Sequence, residues 1–119
     1  MAALETYEAW TNADWLETIE ITGLDPAYDR TQLRARMQVR REASSTAAVL
    51  TASSTSKERE MRFVTDGAGR LALTISIAQA RMAAIQPAAH VRDILIFYGG
   101  SVIHSGFGPV MINQGVTRD

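Results

Sequence analysis

At 119 residues, with 46% hydrophobic and 21% charged side chains, the chain has the size and composition of one folded domain that can bury its own core. A net charge of −1 supplies no long-range field toward nucleic acid or an anionic membrane, and the lack of cysteine excludes disulfides, thiolate metal sites and thiol catalysis. The apolar runs fall far short of the roughly 20 residues a spanning helix needs, and MAALETYEAW has neither the basic nor the apolar region of a secretory signal, so a protein made in the cytoplasm is expected.

Residues 1–13 read as a short helix or an arm, with Tyr7 and Trp10 three apart on a helical face. From Asp14 to Thr22, Ile19 and Ile21 alternate with Thr18, Glu20 and Thr22, the period of a strand. Gly23 to Pro26 is a turn, since proline fixes φ and aspartate bonds its own backbone. Leu33 to Arg41 is the cleanest element: Leu33, Ala35, Met37 and Val39 share one face, and Arg34, Arg36, Gln38 and Arg40 the other. Ser44 to Ser56 holds a weaker run, Ala47–Thr51, in a Ser/Thr/Ala-rich stretch.

Met61 to Thr65 is a short strand, and the Asp66–Gly69 turn leads into Leu71–Ile77, with Leu71, Leu73, Ile75 and Ile77 inward. Ala78 to Ile85 changes to helical spacing and stops before Pro87, as if crossing from one sheet to another. The stretch from His90 to Arg118 is apolar and β-branched. Gly99–Gly100 divides it as a tight two-residue hairpin turn, and Val110–Ile112 is a third short run. On residues 90–98 either Ile94 and Ile96 or Leu95 and Phe97 face inward. About seven strands with turn signals every 8–12 residues or so predict an all-β, antiparallel immunoglobulin-like sandwich with one short helix, spanning 14–119 behind the arm. Removal of residues 1–12 would then leave its melting almost unchanged.

The layout also carries a resemblance. Asp14-Trp15 precedes the first strand and Leu24-Asp25 sits in the following turn. The arginine-alternating strand, Asp66-Gly67 and the Leu71–Ile77 strand come next, and Gly108-x-Val110-x-Ile112 with Gly115-Val116-Thr117-Arg118 closes the chain. Over residues 14–118 this resembles the small immunoglobulin-like sandwich proteins of tailed bacteriophages and prophages, such as the N-terminal domains of baseplate upper proteins. Ser44 to Glu60 departs most from that pattern, and Gly99-Gly100 stands where the pattern has Asp-Gly. The resemblance implies a structural virion protein without catalytic activity, made in the host cytoplasm, in the tail, baseplate or neck. Other virion proteins and further copies of itself would be its partners. A capsid decoration (cement) protein, a carbohydrate- or peptide-binding sandwich module, and more remotely a small hydrolase are the alternatives.

No residue set demands catalysis, a cofactor or a metal. Asp66 to Arg70 lacks the Lys-Ser/Thr continuation of a phosphate loop. Ser44, Ser45, Ser53, Ser54 and Ser56 have no base beside them. His90 and His104 are not in register across the Gly99–Gly100 turn, and no cysteine completes a tetrahedral site. Trp15 is expected in the core. Arg34, Arg36 and Arg40 read as a solvated or partner-facing surface, with Glu20 expected opposite them across the sheet, and no specific nucleic acid or membrane is implied. The candidate partner contacts are therefore Tyr7, Trp10, Arg34, Arg36 and Arg40.

Overall fold

In the computed structural model, which describes residues 2–116, alternation decides most of the architecture. The strands in chain order are β1 (Ala2–Ala3), β2 (Tyr7–Trp10), β3 (Trp15–Ile21), β4 (Arg34–Arg40), β5 (Leu50–Ser53), β6 (Met61–Thr65), β7 (Leu71–Ile77), β8 (Ala88–Tyr98) and β9 (Ser101–Asn113). One helical turn, α1 (Gln79–Met82), and a 3-10 turn at Arg30–Gln32 complete the set. In β4 the residues Ala35, Met37 and Val39 are buried, while in β7 Leu71, Leu73, Ile75 and Ile77 are. Each strand therefore has one apolar face, and two sheets must meet to cover those faces.

The smaller sheet runs β3-β7-β6 and the larger β5-β4-β8-β9, antiparallel throughout. β1 and β2 add end to end along the far edge of β9, parallel to it. The chain passes from β7 in one sheet to β8 in the other through α1, whose first N–H (Gln79) is held by Asp14 Oδ1 at 2.7 Å. The helix is shorter than the expected Ala78–Ile85 because the chain must reverse before Ala88, yet Met82 and Ile85 are buried as its spacing requires. In immunoglobulin lettering β3, β7 and β6 are strands B, E and D, and β9, β8, β4 and β5 are G, F, C and C′. The fold is the expected antiparallel immunoglobulin-like sandwich. β3 to β9 supply its seven strands.

The N-terminal segment departs from the arm or helix expected of it. Tyr7–Trp10 pairs with Val110–Asn113, and Ala9 is only 3% exposed. Tyr7 stacks on Trp15 with ring centroids 4.6 Å apart. The segment is thus tied into the core, and its three-residue aromatic spacing places Tyr7 inward and Trp10 outward as in a strand. Two glycines let the chain enter: a Cβ on Gly108 would lie 2.5 Å from the Leu4 carbonyl oxygen, and one on Gly106 would lie 3.0 Å from the Leu4 side chain. Gly99 and Gly100, with φ of 58° and 85°, form the tight turn between β8 and β9. The third run expected at Val110–Ile112 is the continuation of β9, bent by a register shift beside Ile96 and Phe97. Ile94 and Ile96 face inward, leaving Leu95 and Phe97 outside.

Candidate interaction face

The outward face of the larger sheet can be read in rows, because paired residues share a side. Arg34, Phe97 and Val102 form one row; Ser53, Arg36, Leu95 and Ser105 the next; then Thr51, Gln38, Asp93 and Phe107. Arg40, Val91 and Pro109 follow, and Met111 lies beside Glu8 further along. Trp10, paired with Asn113, closes the same face and is 44% exposed. Of the eight exposed large hydrophobic side chains among the described residues, four (Trp10, Val102, Phe107 and Met111) lie here. They form an apolar band bordered by arginines on β4.

Of the residues singled out in the sequence, this face gathers Trp10, Arg34, Arg36 and Arg40. Tyr7 is turned away. Its ring lies on Trp15 and its hydroxyl donates to the Leu16 carbonyl at 3.1 Å. Burial first, and then the Glu17 carboxylate, hold the Tyr7 phenol above its ordinary value. The arginines are engaged locally: Arg34 donates to the Leu33 carbonyl at 2.9 Å, and Arg36 sits 5.5 Å over the Phe97 ring. Arg40 donates to Gln38 Oε1 at 2.6 Å and to the Ser45 carbonyl at 3.3 Å. Glu20 does not oppose them as expected. It pairs with Ala72 in the other sheet, because β3 and β4 are consecutive in sequence but belong to different layers.

Three other features fall where the sequence places them. Trp15 is fully buried. Asp66 Oδ1 accepts the Ala68 and Arg70 N–H groups at 2.9 Å each, so this glycine-rich segment closes the β6–β7 hairpin. His90 pairs with Val110 and His104 with Ile96, in separate rows. Among the described residues no cluster of three or more His, Cys, Asp or Glu side chains is placed to hold a metal ion.

A buried ion pair is the main polar feature the sequence reading did not single out. Arg92 on β8 and Glu17 on β3 bridge the two sheets through two bonds, Nη1 to Oε1 at 2.6 Å and Nη2 to Oε2 at 2.8 Å. Arg92 is 2% exposed, its guanidinium lies 5.8 Å from the Tyr7 ring centre and 5.7 Å from that of Trp15, and Nη1 reaches the Met37 sulfur at 3.8 Å. Trp15 Nε1 also donates to Glu17 at 3.1 Å. Immunoglobulin domains usually join these same two strands, B and F, by a disulfide. The signal was present in the parity: Arg92 shares the inward parity of Ile94 and Ile96, and Glu17 that of Trp15, Ile19 and Ile21.

A second buried carboxylate, Glu60, is 6% exposed; it accepts the Ser53 N–H at 3.2 Å, the Ser56 hydroxyl and a charged bond from Arg81. Burial pushes its carboxyl up, but the bonds from Ser56 and Ser53 and the Arg81 charge outweigh that and hold it below the usual carboxylate value. The Ser-rich stretch is therefore ordered around Glu60, with β5 starting three residues and ending two residues later than its apolar run suggests.

No protein-family model matches the chain, and no curated protein matches it in sequence. Among solved structures it is similar to CopC from Methylosinus trichosporium OB3b, at 11% identity over 95% of this chain and 90% of that one, with a TM-score of 0.45. It is also similar to the NK cell receptor NKp44 (11% identity, 92% and 97% covered, TM-score 0.45) and to murine CRIg (8%, 92% and 93%, 0.35). Identities this low concern the fold alone.

Proposed function

We propose that the protein is a non-catalytic assembly domain whose copies join through the outward face of the larger sheet, and that it serves as a structural component of a tailed-phage particle. One observation carries the assembly reading: Trp10, Val102, Phe107 and Met111 are exposed together on one face. A folded domain that exposes several large apolar side chains on one face ordinarily covers them with a partner. The face carries both signs of charge, with Arg34, Arg36 and Arg40 on β4, Asp93 on β8 and Glu8 on β2. The virion role is supported by the resemblance of residues 14–118 to phage sandwich proteins, which work by being held between other proteins.

Sedimentation velocity tests the assembly. At tens of micromolar the wild-type chain sediments as an oligomer, and Phe107→Asp returns it to monomer with its β-sheet circular dichroism retained and a modestly lower melting temperature, because the new carboxylate faces outward but opposite Asp93. A monomeric wild-type chain, or an oligomer indifferent to Phe107→Asp, overturns the reading. Mass spectrometry of particles purified from a strain carrying the gene tests the virion role separately; absence of the chain from the particle refutes it.

A further inference from the structure

We infer that the free edge of β3, with the cleft beside it, receives an extended strand of a partner protein in which apolar and basic residues alternate. β3 is hydrogen-bonded to β7 on one side only, so no strand pairs its other edge, which beyond Leu16 is open as far as Ile21. The direction of its main-chain groups follows from the ladder. The Ser76 N–H donates to the Glu60 carbonyl, away from β3, which makes Leu16–Ser76 a pair without mutual bonds. Leu16, and by the period of two Thr18 and Glu20, therefore direct their N–H and C=O groups outward. Tyr7 takes the Leu16 carbonyl, which confirms the direction. Among the described residues nothing takes the main-chain groups of Thr18 and Glu20. Four hydrogen-bonding groups thus stand in a row at a sheet edge, the arrangement that strand addition uses.

The second observation is the space next to this edge. A cleft of about 660 Å³ opens between β3 and the N-terminal segment, with Leu4, Ile19, Ile21 and Ile94 among the side chains that line it. A strand added to β3 would turn alternate side chains into that cleft, beside Ile19 and Ile21, while the others continue the outer row of Leu16, Thr18 and Glu20. Leu16, 65% exposed, offers that outer row an apolar neighbour. Carboxylates are in the majority around the opening, where Glu5, Glu17 and Glu20 stand with Arg92 and His104. Glu5 and Glu20 line it without a salt bridge among the described residues, and its arginine, Arg92, is already neutralised by Glu17. Charges on an edge strand guard it against another copy of itself, and here they favour a basic strand over a second β3. The surface is distinct from the Phe107 face, which lies on the opposite side of the larger sheet, so the two can fail independently.

The experiment uses the full-length chain and three nine-residue peptides: alternating valine and lysine, alternating valine and glutamate, and a block-ordered isomer of the first. Amide exchange by NMR is the readout. The alternating basic peptide is expected to bind and to slow exchange at Thr18 and Glu20 specifically, while the acidic and block peptides bind at least tenfold more weakly. Thr18→Pro removes an outward N–H that the β3–β7 ladder does not use, so the sheet tolerates it and peptide affinity falls at least tenfold. Glu20→Lys, which leaves the backbone intact, is expected to exchange preference for the basic peptide for preference for the acidic one. Several outcomes overturn the proposal: no binding of the basic peptide up to about 1 mM, protection centred on Phe107 instead of Thr18, or affinity unaffected by both variants. Self-association of the free chain that Thr18→Pro abolishes also overturns it, since β3 would then pair with a second copy.

Discussion

Removing one half of the inter-sheet ion pair should cost far more than removing both. In Glu17→Leu the Arg92 guanidinium stays 2% exposed beside the stacked Tyr7 and Trp15 rings with its carboxylate gone. Stranding a buried charge costs about 3–5 kcal/mol, and the lower figure applies because the cleft beside Glu17 admits some water. Arg92→Met is milder, about 2 kcal/mol: the Glu17 side chain is 14% exposed, keeps its bond from Trp15 and borders the cleft. The double variant fills the same volume with apolar groups and should lie within about 1 kcal/mol of wild type. The pair is then coupled by about 4 kcal/mol, in the range measured for close charge pairs. Urea unfolding followed by far-ultraviolet circular dichroism reads this directly. With a slope near 1.5 kcal/mol/M, Glu17→Leu lowers the midpoint by about 2 M and the double variant restores most of it. If the double variant is as unstable as the two single losses combined, the side chains do not act as a pair and the account of how the sheets are joined is wrong.

Two further outcomes follow from local geometry. Gly108→Ala puts a Cβ 2.5 Å from the Leu4 carbonyl oxygen and should cost about 1–3 kcal/mol, whereas Gly67→Ala, with nothing within 4 Å, should be nearly neutral. Amide exchange locates the damage: the Leu4 N–H, bonded to Phe107 O at 2.8 Å, loses protection first, and its persistence would refute the steric reading. Glu60 is held below its unfolded value, so its contribution to stability is present above that value, near pH 4.3, and is lost as pH falls through the folded one. Glu60→Gln should accordingly flatten the decline of the urea midpoint between about pH 5 and pH 3; an unchanged slope counts against the role given to Glu60.

How much of this was readable in the sequence depended on whether parity alone could decide. β4 is apolar on one parity only and β7 is so apart from Ala72, and their faces were legible residue by residue. In the second half of β8 both parities are apolar, since Leu95 and Phe97 lie half-buried on the outer face while Ile94 and Ile96 fill the core, so alternation could not choose. Parity also names a face and not a neighbour. That is why Glu20 was expected beside the arginines of β4, although β3 lies in the other sheet. The N-terminal strands were hidden for another reason: their pairing is parallel, short and made with residues about a hundred positions away, a distance no local pattern encodes. At the interaction face, the arginines and Trp10 were visible as outward residues. That Phe107 and Met111 share the face with them required the register across the Gly99–Gly100 turn.

The parallel pairing of β2 with β9 has a consequence in time. Tyr7 leaves the ribosome long before Val110, its partner, and at roughly 5–20 residues per second the first strands wait several seconds or more for the last. During that interval Tyr7 has no Val110 to lie against, and β9's future edge does not exist. The larger sheet can be completed only after synthesis has delivered Asn113. In a crowded polysome the earliest β9 to become available to a waiting N-terminal strand can belong to a neighbouring chain, and an exchange of β1 and β2 between copies would satisfy every one of the same bonds.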